Sequence, residues 1–218
     1  MAPIPGLASG RIVVALDELA ADRAMAALIA PCEVMIQEGI SALAVTPTGL
    51  GQLPELIDIF GERAGFGLRG RPNPAQVEAA AAAGATFVVL TLPDAAAEEA
   101  ARANGLALVV SAMTPAEIQG VADRGADAVL VTPADALGVE FPRYLAEELP
   151  GLPLLVGGRV DLYLAERWLD HGAAGLVLGG VLTGNAFDGG SLAGLRVRCA
   201  DYRAVVRRCA QPPSGLAT

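Results

Sequence analysis

The stretch "GADAVLVTPADALG", residues 125–138, contains a short apolar run that follows a glycine and leads into a loop before a helix. Its hydrophobicity is nearly continuous, which is typical of a parallel β-strand that is buried on both faces. Side chains alternate along a strand, so Leu130 and Thr132 share one face, which we expect to be the inner one.

Similar runs recur along the whole chain, separated by stretches rich in alanine, leucine and glutamate that have helical character. The predicted strands are 11–16, 42–46, 65–69, 86–91, 106–111, 127–132, 152–157 and 174–179. The predicted helices between them are 50–62, 74–83, 94–103, 114–124, 138–148 and 160–171. The longer connection 17–39 contains Pro31, which predicts two helical pieces there.

Capping residues mark the predicted helix boundaries. Asn73 precedes Pro74, and Thr114 precedes Pro115 with Glu117 three residues on, which is the pattern of a capping box. Glycines stand at the opposite ends, just before the next strand, at Gly39, Gly84, Gly105, Gly125 and Gly172.

Eight alternating β/α units predict an α/β fold, a single-domain (β/α)8 TIM barrel over residues 11–210, with its body at 11–185. The segment 1–10 precedes the barrel, and we expect the tail 211–218 to be disordered. An open doubly wound sheet is the structural alternative. However, no G-x-G-x-x-G turn follows the first strand.

Composition limits the possible partners. The 218 residues carry a formal net charge of −9, which argues against nucleic acid or an anionic membrane as the main partner. The sequence shows no secretory signal and no apolar run of the ~20 residues that a membrane span needs. Cys32, Cys199 and Cys209 are too few and too scattered for a disulfide framework. We therefore expect a soluble cytoplasmic protein with reduced thiols.

Chemistry in such a barrel is expected at the carboxyl ends of the strands. The polar and glycine positions there are Asp17, Thr46, Thr48, Arg69, Arg71, Thr91, Asp94, Ser111, Thr114, Thr132, Asp135, 157–159 and 179–180. They include no histidine, cysteine or glutamate, so neither a Ser-His-Asp triad nor a histidine metal site is predicted. His171 precedes Gly172 at a predicted helix end, where we expect it to make a helix-terminal hydrogen bond.

The acidic residues near the strand ends come from separate loops without a shared spacing. We interpret them as helix N-caps and predict no metal site and no cofactor. They are Asp17, Asp94, Asp135 and Asp161.

The remaining binding candidates are cationic or glycine-rich. Planar guanidinium groups beside glycine turns suit a carboxylate or a phosphate, and glycine backbone N–H groups can also face an anion. The arginines can therefore pair with the excess of surface acids or bind a small anionic metabolite, and the sequence leaves both roles open. The candidates are Arg69, Arg71, Thr132, Gly158, Arg159, Gly179 and Gly180.

Five stretches in order resemble the bacterial KDPG/KHG aldolase family over roughly residues 11–185. The resemblance implies a trimeric class I aldolase barrel, a lyase, in which a lysine forms a Schiff base with pyruvate. A homotrimer, and a possible higher assembly, follow from it as expectations. The stretches are "GISALAVTPTG", "GLRGRPNPAQVEAAAAAGATFVV", "SAMTPAEIQGVADRGADAVLVTPADALG", "LPLLVGGRV" and "GLVLGGVLTG".

The residues at that family's catalytic and binding positions differ in this sequence. Ala44 stands where the resemblance places the catalytic glutamate, and Leu130 stands where it places the Schiff-base lysine. The other departures are Thr48 for an arginine, 67–71 for the G-A-G-T-V turn, Val110-Ser111 for a proline-glycine, and Val181 for the phosphate-binding serine.

The basic residues support the same interpretation independently of the resemblance. All 15 are arginine, and the sequence contains no lysine. A class I aldolase needs a primary amine to form the iminium that acts as its electron sink, and a permanently protonated guanidinium cannot replace that amine. We therefore predict that class I aldolase activity is absent.

Three functions remain open at this point. The first is a non-catalytic homologue with a structural or assembly role, or one that binds a small anionic metabolite. The second is a divergent lyase or isomerase that acts on a phosphorylated or carboxylated metabolite through the arginines. The third is an FMN-type phosphate-binding barrel, because "LLVGGRVD" and "GAAGLVLGG" also resemble the phosphate-binding ends of such barrels.

Overall fold

The computed structural model describes residues 11–16 and 24–210. Eight strands form a closed barrel in the order β1 to β8, and every neighbouring pair is parallel, including β1 with β8. This confirms the predicted TIM barrel. The strands are β1 Ile12–Leu16, β2 Ala42–Val45, β3 Gly65–Gly70, β4 Phe87–Leu90, β5 Ala107–Ala112, β6 Ala128–Val131, β7 Leu154–Gly157 and β8 Gly175–Leu178.

Helices alternate with these strands and surround the barrel. Short 3₁₀ helices at Pro47–Gln52, Ala134–Ala136 and Ala186–Asp188 lie in the connections. The α-helices are α1 Ala26–Gln37, α2 Leu53–Phe60, α3 Pro74–Ala82, α4 Ala95–Ala103, α5 Pro115–Asp123, α6 Phe141–Glu148, α7 Leu162–Asp170, α8 Gly180–Thr183 and α9 Leu192–Ala210.

The predicted helix boundaries follow the capping chemistry. Asn73 and Thr114 each form a complete capping box with the residue three positions on. His171 ends α7, and its Nδ1–H donates to the carbonyl of Arg167 at 2.8 Å, as predicted. Each of the five glycines predicted at helix ends has a positive φ, between 69° and 99°.

The connection 17–39 differs from its prediction in the part that the structure describes. A single helix, α1, runs through Pro31 there, while residues 17–23 lie outside the described ranges. Pro31 is at the sixth position of α1 and is buried. The long C-terminal helix α9 was not predicted. Its apolar residues are widely interspersed with arginines, which weakens the helical pattern in the sequence.

Two apolar layers form the core. One lies between the barrel and its helices, and the other fills the barrel itself. The inner layer is composed largely of small residues around Phe87 and Leu130, so the barrel is packed rather than hollow. Its buried members are Val13, Ala15, Ala42, Ala44, Phe87, Val89, Ala107, Val109, Ala128, Leu130, Leu155 and Val177. No helix among the described residues is long and apolar enough to cross a membrane.

Candidate binding site at the barrel mouth

A cavity of about 540 Å³ lies at the carboxyl ends of the strands. Six of the seven predicted binding candidates line it, contributed by β3, β6, β7 and β8 or by the loops that follow them. The structure thus brings together residues that the sequence separates by more than a hundred positions. The lining residues are Ala15, Arg69, Thr132, Gly158, Arg159, Val177, Gly179, Gly180 and Val181.

Arg71 is the candidate that lies apart. It is exposed and lines a separate, smaller cavity with Asn73 and Asp94. The chain leaves β3 at Gly70, where φ is +137°, so the alternation expected of a continuing strand stops before Arg71. The alternation of Arg69 and Arg71 in the sequence therefore does not place both side chains in one cavity.

Arg69 and Arg159 reach the cavity from opposite walls. Arg69 belongs to β3, and Arg159 follows Gly158 directly after β7. In a closed eight-stranded barrel β3 and β7 are four strands apart in either direction. The two arginines therefore line the mouth from different sides.

Below the mouth the barrel is apolar. Leu130 and Ala44, both fully buried, belong to the inner layer, as predicted for Leu130 from strand alternation. Leu130 is close to β7, because a Cβ built on Gly157 would lie 3.0 Å from its Cδ1. Thr132 continues the same face outward, and its Oγ1 would lie 3.7 Å from that Cβ. The floor is therefore apolar around Leu130 and Ala44, and Ser111 adds one buried hydroxyl, because it pairs in register with Leu130 on the inner face of β5.

The loops after β6 and β7 touch at the edge of the cavity. The backbone N–H of Arg159 donates to Oδ1 of Asp135 at 3.0 Å. Gly158 has φ +117°, and a Cβ there would lie 2.6 Å from the same oxygen. Only glycine adopts this conformation readily, and only glycine leaves room for the carboxylate.

The predicted roles of the acidic residues are partly confirmed. Asp94 accepts from the N–H groups of Ala96 and Ala97, and Asp161 accepts from Leu164 N, so both are N-caps. The prediction for Asp135 was wrong, because it lies inside the 3₁₀ helix Ala134–Ala136 and binds the loop after β7 instead.

The remaining strand-end residues have local roles or lie elsewhere. Asp17 is outside the described residues. The hydroxyls of Thr46 and Thr48 share a hydrogen bond of 2.8 Å beyond β2, and Ser111 is buried within β5. Among residues 11–16 and 24–210, no three histidine, cysteine or carboxylate side chains are placed to hold a metal ion.

Sequence reasoning missed two kinds of residue at this site. Ala15 and Val177 line the cavity without any polar group that would have marked them, whereas Val181 is singled out only through the resemblance. Tyr202 of α9 supports the loop after β7, since its hydroxyl donates to the carbonyl of Val160 at 2.6 Å. A lone tyrosine in an amphipathic helix gives no sequence signal for such a contact.

Comparison with known proteins finds relatives of the chain among aldolases. It is 30% identical over 152 residues to the 2-dehydro-3-deoxy-6-phosphogalactonate aldolase of Escherichia coli K12. The aligned region covers 66% of this chain and 73% of that enzyme. The chain belongs to the KDPG/KHG aldolase family. The sequence matches no protein-family model.

Solved structures related to this KDPG/KHG aldolase family member share its fold. A native KDPGal structure superposes with a TM-score of 0.81 at 24% identity, covering 92% of this chain and 96% of that one. A 4-hydroxy-2-oxoglutarate/2-dehydro-3-deoxyphosphogluconate aldolase from TTHB1 gives 0.79 at 24% identity, covering 94% and 99%. A thiamine phosphate pyrophosphorylase from Pyrococcus furiosus gives 0.70 at 19% identity, covering 92% and 96%, so the barrel is shared beyond aldolases.

Proposed function

We propose that this member of the KDPG/KHG aldolase family binds a small organic anion at the barrel mouth and has no class I aldolase activity. The observation that carries the proposal is Leu130. Its side chain is fully buried in the inner layer, at the position where the resemblance to the family places the Schiff-base lysine. The protein is then a non-catalytic homologue that uses an inherited pocket for binding.

The chemistry of the barrel floor supports the absence of aldol cleavage. An iminium requires a primary amine that loses its proton, and no lysine is present to supply one. Ala44 supplies no acid or base beneath the mouth, because a methyl group cannot transfer a proton. At these two positions the floor therefore offers a ligand neither an amine for an electron sink nor a carboxylate to carry a proton.

The chemistry of the mouth supports anion binding. Guanidinium groups pair with carboxylates and phosphates through two parallel N–H donors, and Arg69 and Arg159 bring two such groups to one cavity. The backbone of Gly179 and Gly180 lines the same space without a side chain to obstruct an approaching oxygen. The Thr132 hydroxyl adds a neutral donor and acceptor at its edge.

The aldolase part of the proposal is tested by trapping. Incubation with pyruvate and borohydride, followed by intact-mass and peptide analysis, is expected to leave every internal residue unmodified. A stable adduct on an internal residue would contradict the proposal. Reaction confined to the N-terminal amine would not, because that amine exists in any chain.

The binding part is tested by calorimetric titration with inorganic phosphate and, separately, with pyruvate. We expect Arg69→Ala and Arg159→Ala each to weaken binding of the anion by about tenfold. Arg207→Ala is the matched control, since it removes the same charge from an exposed position of α9. Equal losses in all three variants would indicate a nonspecific charge effect and would exclude the mouth as the site. A flavin-like absorption band in the purified protein would favour the FMN-type alternative instead.

We also propose a homotrimer in the cytoplasm. Exposed apolar side chains project near the strand carboxyl ends, among them Leu92 (52% exposed), Met113 (42%) and Tyr163 (59%). In a homotrimer, these side chains would be covered by another subunit. Three free cysteines support a reducing compartment, and burial raises the pKa of the Cys32 and Cys199 thiols to about 12.

A further inference from the structure

Two hydrogen bonds from other parts of the fold hold the backbone that carries Arg159. On one side, Asp135 from the loop after β6 accepts the Arg159 N–H at 3.0 Å. On the other side, Tyr202 from α9 donates to the carbonyl of Val160 at 2.6 Å. Tyr202 and Val160 are buried, so water does not compete for this second bond. The backbone is therefore held at the Arg159 N–H and at the carbonyl of the following residue, Val160.

The preceding residue restricts the same loop. Gly158 lies against the loop after β6, where a Cβ would meet Oδ1 of Asp135 at 2.6 Å and the backbone N of Ala134 at 3.2 Å. Its φ of +117° turns the chain sharply after β7. The path of residues 158–160 is thus restricted from two sides, by the loop after β6 and by α9, and Arg159 lines the cavity from that path.

Asp135 is an unexpected neighbour for an anion site. A carboxylate beside the cavity repels a second negative charge, so its charge alone opposes binding. A carboxylate oxygen is also a strong acceptor for a backbone N–H, because the bond is charge-assisted. The repulsion weakens anion binding, whereas the hydrogen bond favours it by holding Arg159. Substitutions at Asp135 that remove one effect and keep the other can therefore separate them.

We infer that Asp135 and Tyr202 are positioning residues, which orient Arg159 toward the anion by fixing its backbone between β6 and α9. The inference rests on the proposed function, since it concerns the same cavity. Asp135 acts as a hydrogen-bond acceptor and not through its charge. Neither residue lines the cavity, so both act on the ligand through Arg159.

Substitution at Asp135 separates the two effects. Asp135→Asn keeps an oxygen acceptor and removes the charge, so we expect inorganic phosphate to bind as tightly as to the unaltered protein, or up to about threefold more tightly. Asp135→Ala removes both, and we expect binding about tenfold weaker although a repulsive charge has gone. Asp58→Asn, on the exposed face of α2, controls for the change in net charge. Asp135→Ala binding as tightly as Asp135→Asn would overturn the inference.

Tyr202→Phe tests the other contact. It removes one hydroxyl from a buried site and leaves the ring, and we expect a several-fold loss of phosphate affinity with cooperative thermal unfolding retained. Unchanged affinity would remove Tyr202 from the positioning role.

Amide hydrogen exchange gives a readout that needs no ligand. The Arg159 N–H is expected to be protected in the unaltered protein and in Asp135→Asn, and to exchange faster in Asp135→Ala. If the unaltered protein binds neither phosphate nor pyruvate, the proposed function fails, while exchange at Arg159 still decides whether Asp135 fixes the loop. Rapid exchange at Arg159 in the unaltered protein would overturn the inference itself.

Discussion

Gly67 of β3 lies in register with Phe87 of β4, and the Phe87 ring occupies the space that a side chain at position 67 would need. A Cβ built on Gly67 would lie 2.4 Å from Cε2 of Phe87 and 2.6 Å from its carbonyl oxygen. The barrel interior therefore holds one large ring because its neighbour has no side chain.

Gly67→Ala is expected to destabilise the barrel. The backbone oxygen of Phe87 cannot move away cheaply, and overpacking of a filled core costs about 1 to 3 kcal/mol in the free energy of unfolding. Urea denaturation measures the loss. Gly51→Ala is the control, because nothing lies within 4 Å of a Cβ there. If Phe87→Leu does not recover part of the loss in the double variant, the contact with the ring is not its cause.

A lysine at position 130 is expected to restore Schiff-base formation. Burial in the inner layer lowers the pKa of an introduced amine, which leaves it neutral and nucleophilic near neutral pH. We expect Leu130→Lys combined with Ala44→Glu to give a borohydride-stable pyruvate adduct, detected by intact mass. Leu130→Arg is the matched control, because a guanidinium forms no Schiff base. An adduct of equal yield in the control would trace the reaction to the N-terminal amine.

The ion pair between Glu33 of α1 and Arg63 predicts a dependence of stability on pH. Both oxygens of Glu33 accept from Arg63, at 2.8 and 2.7 Å, and these bonds lower the pKa of Glu33 from 4.5 to about 2. Since the folded-state pKa is depressed, the stabilisation is present above pH 4.5 and is lost as the pH falls toward 2.

We expect Glu33→Gln to flatten that part of the curve of unfolding free energy against pH. The effect is small and weakens with salt, because the pair is exposed to solvent. Glu62→Gln, at an exposed position beside Arg63, is the charge-matched comparison. If the unfolding free energy of Glu33→Gln falls as steeply with decreasing pH as that of the unaltered protein, the ion pair between Glu33 and Arg63 is not the cause of the pH dependence.

Removal of the capping box at α5 is expected to cost about 1 kcal/mol of unfolding free energy. Thr114 Oγ1 accepts from Glu117 N, and Glu117 Oε2 accepts from the N–H groups of Thr114 and Met113, which lowers the pKa of Glu117. Thr114→Ala removes the hydrogen bond from Glu117 N to Thr114 Oγ1, which is one half of the capping box. Glu117→Gln keeps an acceptor and is expected to cost less than Glu117→Ala, as chemical denaturation can show. Equal costs for both substitutions at position 117 would argue against the reciprocal bond.

The assembly is expected to have three times the chain mass of 22.1 kDa. Light scattering coupled to size exclusion, at about micromolar concentration, measures it. Tyr163→Glu and Leu92→Glu place charges at exposed apolar positions and are expected to shift the mass toward the monomer. Val197→Glu, on α9, is the control at an equally exposed apolar position. A monomeric mass for the unaltered protein would end the trimer proposal.

The sequence predicts the barrel well because parallel strands must be apolar on both faces, and capping residues mark the helices between them. All eight strands lie within two residues of their predicted bounds. Alternation places Leu130 and Thr132 on one face, and the structure confirms the expectation that this face is the inner one for Leu130. Strand ends are less predictable, since a single backbone turn at Gly70 separates Arg71 from Arg69.

Contacts between loops could not be predicted from the sequence, for a different reason. Asp94 and Asp135 look alike in the sequence, but only Asp94 precedes an α-helix that it can cap. Asp135 accepts a hydrogen bond from the N–H of Arg159, which is 24 residues away in the sequence. Arg159 lies on a loop whose position depends on the closed barrel. Local sequence rules describe near neighbours and carry no such information.

The bond between Tyr202 and Val160 also sets an order of events during synthesis. The eighth strand ends at Leu178, whereas Tyr202 follows Val160 by 42 residues and emerges from the ribosome later than every strand. A nascent chain can therefore pair all eight strands while the loop that carries Arg159 still lacks one of its two anchors. Completion of the mouth is a late step, reached only when the last helix docks.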